Sequence, residues 1–242
     1  MSLDTTPLLQ IEQAKAGYAG SVVLHGINLD INASEVVALI GPNGHGKTTL
    51  LRLLSGLIPL ISGKITFAGK PIEATDTSER VRAGLVHVPQ GDQLFPEMSV
   101  EENLLMGAYL CDDPAETHNR LEEVYTLFPK LKDRRTQYCN GLSGGERRMV
   151  GIGRGLMANG RLIMLDEPSL GLAPLIIEQI YQALNELTKS GRTFLVVEEN
   201  PVRISEIAQK ISLVQGGKVH WSGTREALQS SPELSQVYFG GH

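Results

Sequence analysis

The sequence predicts an α/β protein whose core is interrupted by a helical insert. Two continuous apolar runs, at 162–165 and 194–197, are typical of strands that are buried on both faces of a parallel sheet. Between residues 97 and 157, apolar residues recur instead at helical spacing, and no convincing strand is present. The chain has 242 residues, so it is long enough to bury the core of one such domain.

The other elements alternate between strands and helices along the chain. A helix at 47–56 is closed by a glycine, and a helix at 175–187 ends before a Ser-Gly pair. The apolar pattern favours strands at 8–12, 27–31, 35–40, 64–68, 84–88 and 218–221, and helices at 99–110 and 114–128. We therefore expect a single domain over 1–242, with a core formed by 1–90 and 159–242 and a helical insert at 91–158.

Composition argues against several classes of protein. The 22 Lys and Arg residues against 27 Asp and Glu residues give a net charge of −5, which argues against a protein that binds nucleic acid. No apolar run approaches the roughly 20 residues of a membrane span, and residues 1–10 do not have the pattern of a signal peptide. Cys111 and Cys139 are the only cysteines and favour two free thiols in a cytosolic protein. A role at a membrane is therefore expected to act through a partner.

Residues 41–48 read GPNGHGKT and fit the phosphate-binding pattern GxxxxGK[ST] at every fixed position. They follow a predicted strand and open a predicted helix, and glycines let the backbone wrap around phosphate oxygens. Lys47 is expected to reach the β- and γ-phosphates, and Thr48 to complete the shell of a Mg²⁺ ion. The alternative is a chance glycine-rich turn. The residues predicted to contact nucleotide are Gly41, Pro42, Asn43, Gly44, His45, Gly46, Lys47, Thr48 and Thr49, of which His45 is expected to be an exposed filler without a catalytic part.

Two carboxylates, Asp166 and Glu167, follow the apolar strand at 162–165. The carboxyl end of such a strand is where ligands bind in α/β sheets. Asp166 is expected to hold Mg²⁺, because hard cations prefer oxygen ligands. Glu167 is the candidate general base that activates the attacking water. The alternative is an ordinary solvated pair at a strand terminus.

A second helix start lies at residues 142–146, which read LSGGE and precede a helical stretch that ends near residue 158. Ser143 and Glu146 form a capping box, so a well-capped helix is one interpretation. Gly144 and Gly145 weaken a helix but expose backbone N–H groups, which favours a second anion-binding site. Two phosphate-binding helix starts in one chain suggest that each nucleotide is shared between two protomers. Arg147 and Arg148, which follow this motif, are expected to be exposed.

Together these motifs resemble an ATP-binding-cassette (ABC) ATPase over essentially the whole chain, in the same order and at the same separations. The resemblance implies a P-loop NTPase (RecA-like) core with an antiparallel β subdomain and an inserted α-helical subdomain. It also implies ATP and Mg²⁺ as cofactors. By the same resemblance, Gln90 is a catalytic and metal-binding residue, Tyr18 stacks on adenine, and Ser143, Gly144 and Gly145 contact the nucleotide held by a second subunit.

The narrower resemblance is to the ATPases of branched-chain amino-acid importers, on segments 87–90, 94–104, 169–174 and 197–200. ATPases for amide or urea uptake are similarly close. This implies a cytoplasmic ATPase, peripheral on the inner face of the cell membrane, that pairs with a second ATPase subunit as a homo- or heterodimer. Its other partners would be transmembrane permease subunits and, indirectly, an extracellular solute-binding protein. The segment 94–98 forms either an apolar lip for a permease helix or part of the core of the insert.

The sequence departs from cassette ATPases in general at two positions. Most cassette ATPases have a histidine that contacts the γ-phosphate where this chain has Glu199, and commonly an aspartate where Ala173 stands. A carboxylate at position 199 repels phosphate unless it is protonated, so hydrolysis without a partner is expected to be slow. Two alternatives remain: a cassette ATPase that acts on the ribosome or on nucleic acid, and a binding-only regulatory subunit.

Overall fold

The computed structural model describes residues 6–91, 93–199 and 201–231. The predicted α/β class is confirmed, with a mixed six-stranded sheet and a separate antiparallel sheet. The strands are β1 (Leu9–Tyr18), β2 (Ser21–Ile31), β3 (Val36–Ile40), β4 (Leu60–Phe67), β5 (Lys70–Pro71), β6 (Leu85–Val88), β7 (Leu162–Asp166), β8 (Thr193–Glu198), β9 (Lys210–Gln215) and β10 (Lys218–Gly223). The helices are α1 (Lys47–Leu54), α2 (Thr77–Arg82), α3 (Val100–Gly107), α4 (Pro114–Leu127), α5 (Pro129–Asp133), α6 (Gly144–Met157), α7 (Pro174–Lys189), α8 (Pro201–Ile204) and α9 (Arg225–Ser230), with a 3₁₀ turn at Cys139–Gly141.

The six-stranded sheet has the order β10-β9-β3-β8-β7-β6 and is parallel except for β10. All residues of β3, β7 and β8 are buried, as their continuous apolar sequences predict. Alternate residues of each strand enter two different cores: Val36, Ala38 and Ile40 face one, and Val37 and Leu39 face the other. The carboxyl ends of β3, β7 and β8 therefore lie side by side along one edge.

The antiparallel sheet has the order β2-β1-β4-β5 and confirms the expected antiparallel β subdomain. Its apolar face and α1 share one core with one face of the six-stranded sheet. The strand predicted at 8–12 extends to Tyr18, because irregular pairing after Ile11 keeps Ala14 and Ala16 buried. The sequence pattern did not reveal β5, β9, α2, α5, α8 and α9, which are short elements held by tertiary contacts.

The other face of the six-stranded sheet is covered by α7 and by the helices between β6 and β7. Ser99 and Ser143 cap α3 and α6 through capping boxes, and Asp113 caps α4. Gly107 allows α3 to approach α6 closely, since an added Cβ would lie 2.0 Å from the Arg154 carbonyl oxygen. The division of the chain at 91–158 stays a prediction. Within the described residues, no helix is both long and apolar enough to cross a membrane.

Candidate active site

The phosphate loop runs between β3 and α1 and depends on its glycines. Gly41 has a φ of 147°, and a Cβ there would lie 2.1 Å from the carbonyl oxygen of Val214. Gly46 caps α1 with a φ of 104°, a left-handed conformation that favours glycine. The loop therefore needs glycine at these two positions, and it ends at a helix start, where backbone N–H groups favour phosphate.

Lys47 is buried inside this loop, with 4% of its surface exposed. Its Nζ donates hydrogen bonds to the carbonyl oxygens of Gly41 at 2.6 Å and Pro42 at 3.1 Å. Burial lowers the pKa of Lys47, and the nearby carboxylates of Glu167, Glu199 and Asp166 partly offset that effect. The ammonium group is therefore held in the loop where a phosphate would meet it.

Asp166 ends β7 and faces the start of α1. Its Oδ1 accepts a hydrogen bond from Thr48 Oγ1 at 3.2 Å, while its buried Oδ2 has no hydrogen-bond partner among the described residues. Burial raises the pKa of Asp166, because the charged carboxylate has lost its water. The carboxylate of Asp166 and the hydroxyl of Thr48 thus lie side by side and offer oxygen ligands, which Mg²⁺ prefers.

Glu167 and Gln90 come together although 77 residues separate them. Gln90 Nε2 donates a hydrogen bond to Glu167 Oε2 at 2.8 Å. Glu167 is 7% exposed and has a φ of 47°, and its N–H donates to the carbonyl oxygen of Val197. Burial raises its pKa, as do the charges of Asp166 and Glu199, while Lys47 and Arg148 lower it. A raised pKa makes a carboxylate a better proton acceptor near neutral pH.

Glu199 lies at the end of β8 and contacts the phosphate loop. Its Oε2 accepts a hydrogen bond from Asn43 Nδ2 at 3.2 Å. Its charge raises the pKa of both Lys47 and Glu167. The unusual carboxylate is thus part of the site. The preceding residue, Glu198, is buried and accepts hydrogen bonds from Ser169 and Tyr181.

The structure places Tyr18 beside α1 and His45 within the loop. Arg52 of α1 donates a hydrogen bond to the Tyr18 hydroxyl at 3.3 Å, and its guanidinium lies 6.0 Å from the ring centroid. His45 is half-buried and not the exposed filler that the sequence suggested. Its Nδ1 accepts a hydrogen bond from Gly216 N–H at 3.0 Å, so it ties the loop to the β9–β10 turn. Thr49 is buried at the first turn of α1. Contact of Tyr18 with adenine stays a prediction.

The LSGGE segment begins α6 as predicted. Ser143 N–H and Oγ both donate to Glu146 Oε2, at 2.9 and 2.7 Å, and Arg134 forms an ion pair with Glu146 Oε1. Ser143 and Gly144 are exposed. Within the described residues, no hydrogen bond joins this helix start to the phosphate loop of the same chain. Contact of Ser143, Gly144 and Gly145 with a nucleotide stays a prediction.

Arg148 corrects the expectation that both arginines after the motif are exposed. It is 4% exposed and donates hydrogen bonds to backbone carbonyl oxygens on both sides of Gln90 and of Glu167. Ile152 and Leu156 follow Arg148 at helical spacing and are buried, so the apolar period of α6 was the signal that could have placed it inside.

The chain matches the family described as ABC transporter over residues 24–170. It belongs to the ABC transporter family. That match includes the phosphate loop, Gln90, the LSGGE segment and the acidic strand. Members of this family bind nucleotide and hydrolyse ATP, so the chain is an ATPase of an ABC transporter.

Relatives and solved structures extend this match to nearly the full chain. The chain is 36% identical to the high-affinity branched-chain amino acid transport ATP-binding protein BraG of Pseudomonas aeruginosa, over 97% of this chain and 100% of BraG. It is 31% identical to the lipopolysaccharide export system ATP-binding protein LptB of Haemophilus influenzae, over 96% of this chain and 97% of LptB. The ADP conformation of MJ1267, an ATP-binding cassette of an ABC transporter, superposes with a TM-score of 0.82 at 29% identity, covering 98% of this chain and all of MJ1267. This ABC ATPase is thus similar both to a protein named for branched-chain amino acid transport and to one named for lipopolysaccharide export.

Proposed function

We propose that this chain powers an ABC importer for branched-chain amino acids, with other small polar solutes such as amides or urea as the alternative cargo. The observation that carries the catalytic part is the cluster formed by Lys47, Asp166, Glu167 and Gln90 at one edge of the sheet. The similarity to BraG over the full length of both chains supports the solute class.

Each side chain has one task in the proposed reaction. Lys47 neutralises charge on the terminal phosphates, and Glu167 accepts a proton from the attacking water while Gln90 holds its carboxylate. Mg²⁺, when bound by Asp166 and Thr48, would supply further charge neutralisation for the phosphates. Asp166 Oδ2, which has no hydrogen-bond partner among the described residues, is the oxygen atom available as a ligand.

We further propose that a second cassette subunit completes each site through Ser143, Gly144 and Gly145. Ser143 and Gly144 are exposed at a helix start, where backbone N–H groups and a hydroxyl suit a phosphate. In the cell the pair would be peripheral on the cytoplasmic face of the membrane, in contact with permease subunits. An extracellular solute-binding protein would act through that permease.

Exposed apolar side chains between β6 and β7 offer a surface on which a permease would dock. Phe95 is 46% exposed and lies 5.8 Å from the guanidinium of Arg154. A cavity of about 630 Å³ opens between α2 and the end of α3, where Met106 and Tyr109 are exposed. Large exposed apolar side chains around one groove support a docking site for a permease helix.

The catalytic roles are tested by phosphate release from the purified chain. Glu167→Gln is expected to lower turnover by about 10²- to 10⁴-fold and keep ATP binding, because only the proton acceptor is lost. Lys47→Ala is expected to weaken ATP binding. Glu12→Gln and Lys189→Ala change the same residue types at exposed positions and serve as controls. Normal turnover of Glu167→Gln would remove Glu167 from its proposed role.

The solute is tested with the permease that co-purifies from membranes. Proteoliposomes that contain the complex and its binding protein should take up leucine when ATP is supplied, and should not when Glu167→Gln replaces the parent chain. Uptake of urea or acetamide alone would assign the alternative cargo. The relatives named LptB favour lipopolysaccharide export as a second candidate, and co-purification with an exporter would overturn the importer proposal.

A further inference from the structure

Arg148 of α6 donates hydrogen bonds to four backbone carbonyl groups within the site. Its Nε donates to Pro168 O at 3.2 Å, its Nη2 to Asp166 O at 2.7 Å, and its Nη1 to Pro89 O at 3.1 Å and Gly91 O at 2.9 Å. The guanidinium is buried, with 4% of the residue exposed. One side chain of α6 thereby holds two loops that follow two different strands.

The four carbonyl groups flank the two residues of the proposed water-activating pair. Pro89 and Gly91 stand on either side of Gln90, and Asp166 and Pro168 stand on either side of Glu167. The Gln90 amide and the Glu167 carboxylate meet at 2.8 Å. The guanidinium thus fixes the backbones from which these two side chains project, so the distance between them depends on Arg148.

Arginine suits this task for a geometric reason. Its planar guanidinium presents five N–H donors in a fixed arrangement, whereas lysine offers one compact charge on a flexible stem. A lysine at this position would keep the positive charge but would not reach both loops. Burial in low dielectric strengthens each hydrogen bond to a carbonyl, so the loss of even two would loosen the pair.

Arg148 also connects this pair to the start of its own helix. Ser143 and Gly144, the exposed residues of the LSGGE segment, begin the helix on which Arg148 lies. Gly155 brings α6 against β6, because a Cβ there would lie 2.3 Å from Val88 Cγ2. A rigid helix clamped at two places cannot shift at its start without moving the loop that carries Gln90.

We propose that Arg148 is a positioning residue that couples the start of α6 to the Gln90–Glu167 pair of the same chain. When Ser143 and Gly144 bind the nucleotide of a partner subunit, α6 becomes fixed in position. Arg148 then brings Gln90 and Glu167 to the distance that activates water. Each subunit then hydrolyses its own ATP only after its α6 has docked on the partner. This inference rests on the proposed roles of Glu167 and of the LSGGE segment.

The test compares Arg148→Lys and Arg148→Gln with Arg80→Lys. Arg80 is a matched control because it is 5% exposed and also donates to backbone carbonyl groups, those of Leu53, Leu54 and Ile72. Both Arg148 variants should lower kcat at least about tenfold and change the ATP Kd less than about twofold. The rate of the parent should depend on ATP concentration sigmoidally, and the rate of each Arg148 variant hyperbolically. Arg80→Lys should lower the Tm without changing kcat per folded molecule.

A double-mutant cycle separates positioning from general stability. In a Gln90→Ala background, Arg148→Lys should lower kcat by less than about twofold, since both changes act through one pair. Arg148→Gln provides the same cycle if Arg148→Lys folds poorly, as judged by its Tm. Full additivity, or a parental kcat in either Arg148 variant, would overturn the inference. Normal turnover of Glu167→Gln would instead overturn the proposed function, so the two failures are distinguishable.

Discussion

Asp166 offers a test in which stability and function change in opposite directions. Its carboxylate is 1% exposed and its Oδ2 has no hydrogen-bond partner among the described residues. Burial raises its pKa, so the nucleotide-free protein is stabilised when this group is protonated and destabilised when pH rises above the folded-state pKa. At neutral pH, Asp166→Asn removes the charge that is costly to bury and is expected to stabilise the nucleotide-free chain.

The size of the gain follows from the environment of the carboxylate. A buried polar group that lacks a hydrogen-bond partner lowers the free energy of unfolding by about 1–3 kcal/mol, and an asparagine amide at this position would still leave one group unpaired. We therefore expect a gain of about 1–2 kcal/mol, or roughly 2–8 °C in Tm for a chain of this size. Mg-ATP at about 100 times its Kd adds about 2.7 kcal/mol to the parent. The variant should lose most of that increment, because it lacks the anionic Mg²⁺ ligand.

Thermal unfolding in four conditions measures both effects: no nucleotide, Mg²⁺ alone, ATP with a chelator, and Mg-ATP. The parent should show its large Tm increase only with Mg-ATP, and the variant should start higher and increase little. Asp30→Asn, an exposed change of the same type, should leave both values as in the parent. A lower starting Tm for Asp166→Asn, or an undiminished increase with Mg-ATP, would contradict the assignment of Asp166.

Three more predictions concern Glu199, Gly144 of α6 and the half-buried His87. Glu199→Gln keeps a hydrogen-bond acceptor for Asn43 but removes a negative charge near Lys47. By titration, the affinity for ATP should therefore rise about fivefold and the affinity for ADP by less than about twofold. Equal gains in the two affinities would contradict this. A Cβ at Gly144 would contact only Arg147 Nη2, at 3.8 Å, so Gly144→Ala should leave the Tm unchanged. The variant should nevertheless release phosphate more slowly, and an unchanged rate would refute the role of this helix start. Burial, with a smaller effect from Arg52, lowers the pKa of His87 to about 4. The free energy of unfolding of the parent should therefore fall by about 3 kcal/mol as pH falls from 6.5 to 4. Urea unfolding should show that His87→Leu does not lose this stability.

The phosphate loop and the acidic strand could be predicted because their information is local. Loop 41–48 contains all the fixed residues of its pattern, and strand 162–165 precedes its two carboxylates directly. Residues in contact within one segment have a fixed spacing, and a spacing can be recognised in sequence. The prediction of β3, α1 and β7 needed no knowledge of what packs against them.

The contacts that link distant segments could not be predicted in this way. Glu199 meets Asn43 across 156 residues, and Gln90 meets Glu167 across 77, so only the parallel sheet brings each pair together. His45 is half-buried only because the β9–β10 turn lies over it, and β9 itself gave no recognisable signal. Arg148 has a side chain type that is mostly exposed in proteins, so composition argued against its burial.

The proposed pairing of two subunits gives the two helix starts of one chain different tasks. The start of α1 holds Lys47 inside its own loop, while the start of α6 leaves Ser143 and Gly144 exposed. In a symmetric pair, a contact of the second start with the partner's phosphate implies the reciprocal contact, so both sites close together. In the proposed pair, Arg148 joins the exposed start of α6 to the Gln90–Glu167 pair of the same chain, so closure at one site would prepare hydrolysis at the other. Hydrolysis would then require that both ATP molecules be bound, and a pair that holds only one nucleotide would stay open and inactive.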